Sequence, residues 1–330
     1  MKKIIKNKDG LKATLSVIGI ISLVVLLMYV ISLLFPLGWA IITSFRDDMD
    51  FTMNGGWAKP DPWSLYNYKI MFKGDPDLAI DPTFVVPISA TSGRASAKGV
   101  SKIINNMFYA VGSSEKHAGI VEMVVNSLLY SIGSSILAML MSLLVAYVVA
   151  RYNFRFCRWI YVVVIIQMII PIVGSLPSEL QMATNLGLYD KILGIWVMKT
   201  HVQGLYFLVF YASFKQIPRE YTEAAQVDGA GNFKIMTQII FPFVKGSIFT
   251  VILLNFIGFW NDYQTPLVYM PSHPTLAYGL YWYTTGALDT SSSSTPAQLA
   301  GCIIVAIPLL ALFIGFQKRL LGNITVGGLK

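Results

Sequence analysis

Apolar windows near 20 residues recur six times along this chain, at Leu15–Trp39, Val121–Ala150, Trp159–Leu180, Leu193–Phe214, Phe243–Tyr263 and Gln298–Phe316. A helix of about 20 apolar residues crosses a bilayer core, so the pattern predicts an all-α polytopic membrane protein with six transmembrane helices. The first run follows a lysine-rich N-terminus. At about 25 residues, without a small-residue cleavage site and passing into Phe35-Pro36 and Trp39, it reads as a retained helix rather than a signal peptide. Five of the six helices are joined compactly. The exception is the first connection, Arg46–Ile120, which is long for a loop without a role.

Composition agrees with the pattern: 55% of the 330 residues are hydrophobic, 13% are charged and the mean hydropathy is +0.60. The net charge of +8 is divided unevenly between the two sides of the membrane. Lys2, Lys3, Lys6, Lys8 and Lys12 precede helix 1; Arg151, Arg155 and Arg158 join helices 2 and 3. Lys215, Arg219, Lys234 and Lys245 join helices 4 and 5, and Lys318, Arg319 and Lys330 follow helix 6. Only Asp9, Glu220, Glu223 and Asp228 share that side. Basic loops stay cytoplasmic, so both termini and the connection between helices 4 and 5 are predicted to be cytoplasmic. The charge is a topology signal and does not point to a nucleic-acid partner. Cys157 falls in a cytoplasmic loop and Cys302 inside helix 6, which argues against a disulfide. The three histidines, His117, His201 and His273, lack metal-ligand spacing.

These readings divide the chain into residues 1–45 (cytoplasmic N-terminus and helix 1), 46–120 (long extracytoplasmic loop), 121–318 (core bundle, helices 2–6) and 319–330 (cytoplasmic tail). In the long loop, Trp57–Phe72 alternates aromatics with turn residues and ends in a helical pattern, placing Trp57, Trp63, Tyr66 and Tyr68 at headgroup level. Gly74–Gly119 is rich in Ser, Gly, Ala and Pro and reads either as a flexible insertion or as a small docking module. The last outward loop, Pro266–Pro296, carries Tyr278, Tyr281, Trp282 and Tyr283; these suit an interface belt, or a stacking surface for a sugar or a binding protein.

One polar segment interrupts the apolar runs on the cytoplasmic side. Pro218 fits a first helical position, and Glu220 and Glu223 follow where carboxylates favour the positive end of the helix dipole. Ala224 and Ala225 keep one face small, Asp228-Gly229 ends the helix with a left-handed glycine, Asn232 caps a second short helix, and Pro242 opens helix 5. The result is a cytoplasmic helix–turn–helix with a carboxylate on a close-approach face.

The spacing E-A-A, three residues, Gly229, nine residues, Ile239, one residue, Phe241, Pro242 resembles the signature loop of bacterial ABC importer permeases. Phe241 departs from the family's usual Leu but keeps its bulk. N-Y-K-I-M-F (Asn67–Phe72), V-N-S-L-L-Y (Val125–Tyr130), A-Y-V-V-A-R-Y-N-F-R (Ala146–Arg155), Q-M-I-I-P (Gln167–Pro171), F-I-G-F-W-N-D-Y (Phe256–Tyr263) and the tail Gln317–Lys330 resemble the carbohydrate branch, the maltose-type second permease subunits.

That resemblance implies a permease subunit of the bacterial cytoplasmic membrane, forming half of a translocation pathway for a sugar or oligosaccharide. It implies a second homologous permease, two ABC ATPase subunits that bind ATP and Mg, an extracytoplasmic solute-binding protein and surrounding membrane lipid as partners. It also implies that Glu223, Ala224, Ala225, Asp228, Gly229, Ile239 and Pro242 form the ATPase-coupling surface. No cofactor is expected on this chain, which has no G-x-x-x-x-G-K-[ST] segment and so supplies no Walker A loop. A permease for another polar solute, such as a glycerol phosphoester, is the alternative; the lack of clustered basic residues inside the spans favours neutral sugars. A membrane-embedded enzyme needs a paired acid/base or metal constellation, which His201 alone does not make. A secondary transporter usually shows inverted repeats and intramembrane ionisable relays, and neither is visible.

Polar groups inside spans are costly and face aqueous cavities, which makes Gln167, Asn255, Asn261 and Asp262 candidates for the pathway. An inter-helix hydrogen bond is the competing reading for Gln167 and Asn255. Trp260, Tyr263 and Tyr281 are pathway candidates or belt aromatics, and Pro171 and Pro308 are expected to kink their helices.

Overall fold

Length and apolarity make α1 (Val17–Ser44) a membrane helix: 28 residues rise about 42 Å, against a hydrocarbon core of about 30 Å. None of its most apolar stretch is buried within the chain. Ile20 through Leu37 face outward on every side, the signature of a helix whose solvent is lipid. The computed structural model describes residues 17–73, 86–87, 117–170, 173–285 and 294–324. The expectations resting on Lys2–Lys12, on most of the 74–119 stretch, on Pro171 and on residues 325–330 lie outside them.

The end of α1 is tied off by its own downstream residues. The Arg46 side chain is fully buried, donating from Nε to Asp50 Oδ2 at 2.6 Å, from one terminal nitrogen to the Gly55 carbonyl at 2.7 Å and from the other to the Asp50 carbonyl at 2.8 Å. Those acceptors lie on or just after α2 (Asp48–Asn54). Asn67, on α3 (Tyr66–Lys73), donates to the Ser44 and Arg46 carbonyls at 2.9 and 2.8 Å. The aromatics expected at headgroup level fold back on this end: Trp57 packs on Phe35 and Trp39, and Trp63 and Tyr68 pack on Phe45, while Trp57 and Trp63 keep an exposed face. A two-residue antiparallel pair, β1 (Val86–Pro87) with β2 (His117–Ala118), closes the base of the long connection.

α4 (Ile120–Arg151) is the axis of the bundle. Ser127, Ser131, Ser134, Ser135, Ala138, Ser142 and Ala146 are all buried, and their three-and-four spacing makes one small-residue face. In a membrane, where apolar burial drives little helix association, such faces permit close backbone approach. α11 (Phe241–Asn261) and α8 (Gly204–Lys215) pack against this axis. Gly133 shows how close the approach is: the Trp196 ring of α7 (Ile192–Lys199) lies where a Cβ would stand, and its indole N–H reaches the Leu129 carbonyl at 3.1 Å. α14 (Thr295–Ile324) packs along α1 and α11, and the buried Trp260 indole donates to its Val305 carbonyl at 3.1 Å. Pro308 lies within α14.

Among the described residues, four helical segments are long and apolar enough to span a membrane: Gly19–Ser44, Ile120–Arg151, Asn232–Asn261 and Thr295–Gly315. The pair α7–α8 adds a fifth if its 57° bend lies within one crossing. The third expected span, Trp159–Leu180, is not one helix. α5 (Arg155–Ile169) has 15 residues, about 22 Å, and α6 (Leu176–Asn185) starts afresh. Ile170 precedes a proline, which disfavours helical backbone, and Gly174 adopts a left-handed φ of 81°. The remaining elements are α9 (Glu220–Val227), α10 (Asn232–Lys234) with a π-helical turn at Ile235–Ile240 leading into α11, α12 (Gln264–Tyr269) and α13 (Leu276–Thr284).

Candidate functional site

The polar segment 217–242 forms the expected helix–turn–helix at one end of the bundle. Glu220 and Glu223 both lie in the first turn of α9, where their charge offsets the unpaired N–H groups. Pro218 stands two residues ahead of the helix rather than inside its first turn. Gly229 has φ of 78°, the Gly229 N–H donates to the Gln226 carbonyl at 3.0 Å and the Ala230 N–H reaches back to Ala225 at 2.9 Å. That pair of bonds is a Schellman cap, and it fixes the turn. Asn232 is the first residue of α10, not its cap; Gly231 holds that place with extended backbone and no side-chain bond. Pro242 sits just past the π-helical turn. A proline ring clashes with the carbonyl four residues earlier and brings no N–H, so widening the preceding turn accommodates it.

Burial divides this unit into an anchoring face and a free one. Ile217, Ala225, Ile235 and Ile240 are buried in the same apolar cluster as Leu143, Tyr147, Phe210 and Phe214, with Ile239 half-buried beside them. Arg151, at the end of α4, clamps the approach: its guanidinium donates to the Ile217 carbonyl at 2.9 Å and to Thr222 Oγ1 at 3.0 Å. Glu223, Ala224, Asp228, Gly229 and Pro242 are exposed. Val227 is 88% exposed and Phe233 76%, so two apolar side chains flank the carboxylate on the free side. Neither was among the expected site residues, although an apolar side chain in a polar turn is itself a signal. The turn is unobstructed: a Cβ at Gly229 meets nothing within 4 Å.

The expected pathway residues do not form one cluster. Asp262 is committed on both carboxylate oxygens, accepting from the Tyr130 hydroxyl at 2.8 Å and from the Thr265 N–H at 3.0 Å. Trp260 is buried against α14, and Asn261 bonds back to its own helix at the Ile257 carbonyl, 2.9 Å away. Tyr263 and Tyr281 stack face to face with centroids 4.4 Å apart. Asn255 is buried on α11, and its Nδ2 has no hydrogen-bond partner among the described residues. Gln167 lies with His201 at one end of a cavity of about 470 Å³ otherwise walled by apolar side chains. A more polar cleft of about 300 Å³ lies on the other side of the α7–α8 break, lined by Glu179, Lys199, His201, Thr265 and Tyr269. There the Tyr269 hydroxyl donates to Glu179 Oε2 at 3.0 Å. Glu179 and Tyr269 are far apart in sequence, and no short motif joins them.

Among the described residues the fold is a helical bundle with helices long and apolar enough to cross a membrane and an anchored, partly apolar turn exposed at one end. The profile of the family described as "Binding-protein-dependent transport system inner membrane component" matches residues 138–324, from the middle of α4 through the capped turn at Gly229 to the end of α14. The chain belongs to this family and is an inner-membrane protein with several membrane-spanning helices. It is 28% identical over 201 residues to the diacetylchitobiose uptake system permease protein NgcG of Streptomyces coelicolor; that match covers 58% of this chain and 64% of the relative, just under two thirds of its length. It is 26% identical over 198 residues to the arabinooligosaccharides transport system permease protein AraQ of Bacillus subtilis, covering 59% and 69%. With the trehalose/maltose transport system permease protein MalG of Thermococcus litoralis it shares 25% identity over 98% of this chain and 99% of that one, an alignment that extends across residues 74–119. Its fold is similar to a chain from the crystal structure of a bacterial ABC transporter involved in import of the acidic polysaccharide alginate, with a TM-score of 0.68, 20% identity, and coverage of 92% and 96%.

Proposed function

We propose that this chain is one of two permease subunits of an ATP-driven importer for a sugar or oligosaccharide. The observation that carries the reading is the capped turn at Gly229, which holds Glu223 and Ala224 free on a face anchored from behind by Ala225, Ile235 and Ile240. ATP and Mg belong to two partner ATPase subunits, which close on this turn; an extracytoplasmic binding protein delivers solute at the other end. In this arrangement the chain crosses the membrane six times, the α5–α6 and α7–α8 breaks lying within the bundle, and both termini are cytoplasmic. Relatives named for the uptake of diacetylchitobiose, arabinooligosaccharides and trehalose/maltose support a saccharide as the solute. No chemical step is assigned to this subunit: its work is to switch between outward- and inward-facing arrangements as the ATPases close and open.

The pathway in this reading runs past the α7–α8 break, where Glu179, His201, Thr265 and Tyr269 offer hydrogen bonds suited to sugar hydroxyls. Broken helices whose ends face a cavity are how membrane proteins place polar backbone at solute depth. Thr265, which lines that cleft, is tied through its N–H to Asp262, and Asp262 accepts from the Tyr130 hydroxyl.

Glu223 makes a charge-assisted contact to a basic side chain of the ATPase. Removing one partner of such a buried pair costs about 3–5 kcal/mol. In the assembled transporter, Glu223→Ala and Gly229→Asp are expected to abolish uptake of labelled oligosaccharide and the stimulation of ATP hydrolysis by loaded binding protein. Wild-type uptake and stimulation in both variants would sink the assignment.

A further inference from the structure

A basic, aromatic-walled pocket of about 520 Å³ opens where α4 turns into α5. Arg155, Arg158 and Lys215 supply three cations to its lining, with Tyr152, Tyr161 and Tyr211 as walls and no carboxylate among the lining residues. None of the three cations has an ion-pair or hydrogen-bond partner among the described residues; the Lys215 ammonium sits 5.5 Å over the Tyr211 ring. Three uncompensated like charges around one concavity repel one another, and an anion bound between them relieves that repulsion.

The shape of the neighbouring surface narrows the anion's identity. Trp159 lines this pocket and also the cavity of about 470 Å³ walled by Val145, Phe156, Ile160, Val163 and Val164. From Arg155 to Val163 is about 12 Å along α5, measured from the charged end toward the middle of the bundle. Phe156 and Trp159 are about two-thirds exposed, as interface aromatics are. A phosphate site continuous with an apolar groove of this length fits a molecule that has both a charged head and a hydrocarbon chain. A free phosphate ester fills the first half only.

We propose that this bipartite cavity is a site for an anionic phospholipid, its phosphodiester held by Arg155, Arg158 and Lys215 and one acyl chain laid along Trp159, Ile160 and Val163. The bound lipid joins the start of α5 to the end of α8, four residues before Arg219. The site stands independently of the coupling assignment and of which face of the membrane this end occupies, since phosphates line both.

The test is native mass spectrometry of the purified full-length chain, titrated with phosphatidylglycerol or with phosphatidylcholine of the same acyl chains. Phosphatidylglycerol is expected to bind at least tenfold more tightly. The variant carrying Arg155→Gln, Arg158→Gln and Lys215→Gln is expected to lose that preference, at about fivefold per cation removed. All three side chains are exposed, and unchanged helicity of the variant establishes that it folds. A second measurement uses lipid brominated on the acyl chain, which should quench wild-type fluorescence more than that of Trp159→Phe. Equal binding of the two lipids, or a preference that survives in the triple variant, overturns the proposal. So does displacement of phosphatidylglycerol by millimolar inorganic phosphate, which assigns the cations to a soluble ester. Trp159 shielding that appears only when protein partners are added, with no lipid preference, overturns it in favour of a protein contact.

Discussion

At the scale of single residues, the molecule uses arginine to hold backbone that helices leave unsatisfied. Arg151 bonds the Ile217 carbonyl and Thr222, and so fixes the docking turn to the axis of the bundle. Hydrogen bonds to a charged group contribute about 2 kcal/mol, so Arg151→Gln is expected to speed amide exchange over residues 217–223 about 30-fold, with Arg151→Lys between the two. Exchange unchanged in Arg151→Gln would show that the clamp holds nothing. Arg46 acts in the same way just past the C-terminal end of α1. Its guanidinium, with help from Asn54, holds the Asp50 carboxyl below the ordinary value of 3.8. A carboxyl lowered in the fold stabilises in full above its unfolded value and loses that contribution as the pH falls through the folded one. Acid titration of Trp39 and Trp57 fluorescence is therefore expected to show a transition below about pH 4 that Asp50→Asn removes. Identical titrations of the two proteins would contradict it. Both arginines were visible in the sequence only as charges at the ends of apolar runs, because a single basic residue does not show which carbonyl it will reach.

At the scale of elements, legibility followed the length of the pattern. α4 and α11 match their apolar runs to within two residues, and the turn after α8 was legible in part: Glu220 and Glu223 fall in the first turn and Gly229 is left-handed at the end, while Pro218 and Asn232 miss their expected places. Local chemistry decides caps and turns, so local sequence suffices to read them. The breaks were harder. Trp159–Leu180 and Leu193–Phe214 are mostly apolar, yet the first divides near Pro171 and the second bends by 57° between Lys199 and Gly204. Hydropathy reports which segments prefer lipid, not whether their backbone stays helical. The aromatic packing behind the docking turn was likewise invisible, since Tyr147, Phe214 and Phe241 come from three different elements. Phe214 is fully buried among them, and Phe214→Ala is expected to cost about 3–5 kcal/mol. A thermal unfolding midpoint equal to wild type would show that this cluster does not anchor the turn.

At the scale of the whole molecule, the exposed turn and the polar cleft belong to different packing regions of the bundle. One end carries the anchored turn with Glu223, Ala224, Val227 and Phe233 free; the polar cleft at Glu179, His201 and Tyr269 lies in a different packing region, around Ile195 and Ala183. The most apolar stretch of α1 has no residue buried against the rest of the chain. α4 and α11 pack along each other and join the two regions. The family's profile covers this working core from residue 138 to residue 324 and leaves α1 and the long connection outside it. The claim on which the account depends is that the turn at Gly229 is where the ATPase docks. Ala224 is exposed at its centre, so a photo-crosslinker placed there through Ala224→Cys, in a Cys302→Ser background, reads that contact directly. In the assembled transporter the account predicts a crosslink from position 224 to the ATPase subunit, and none from the same group at Trp57→Cys. A crosslink to the ATPase from position 57, or none from position 224, would contradict it.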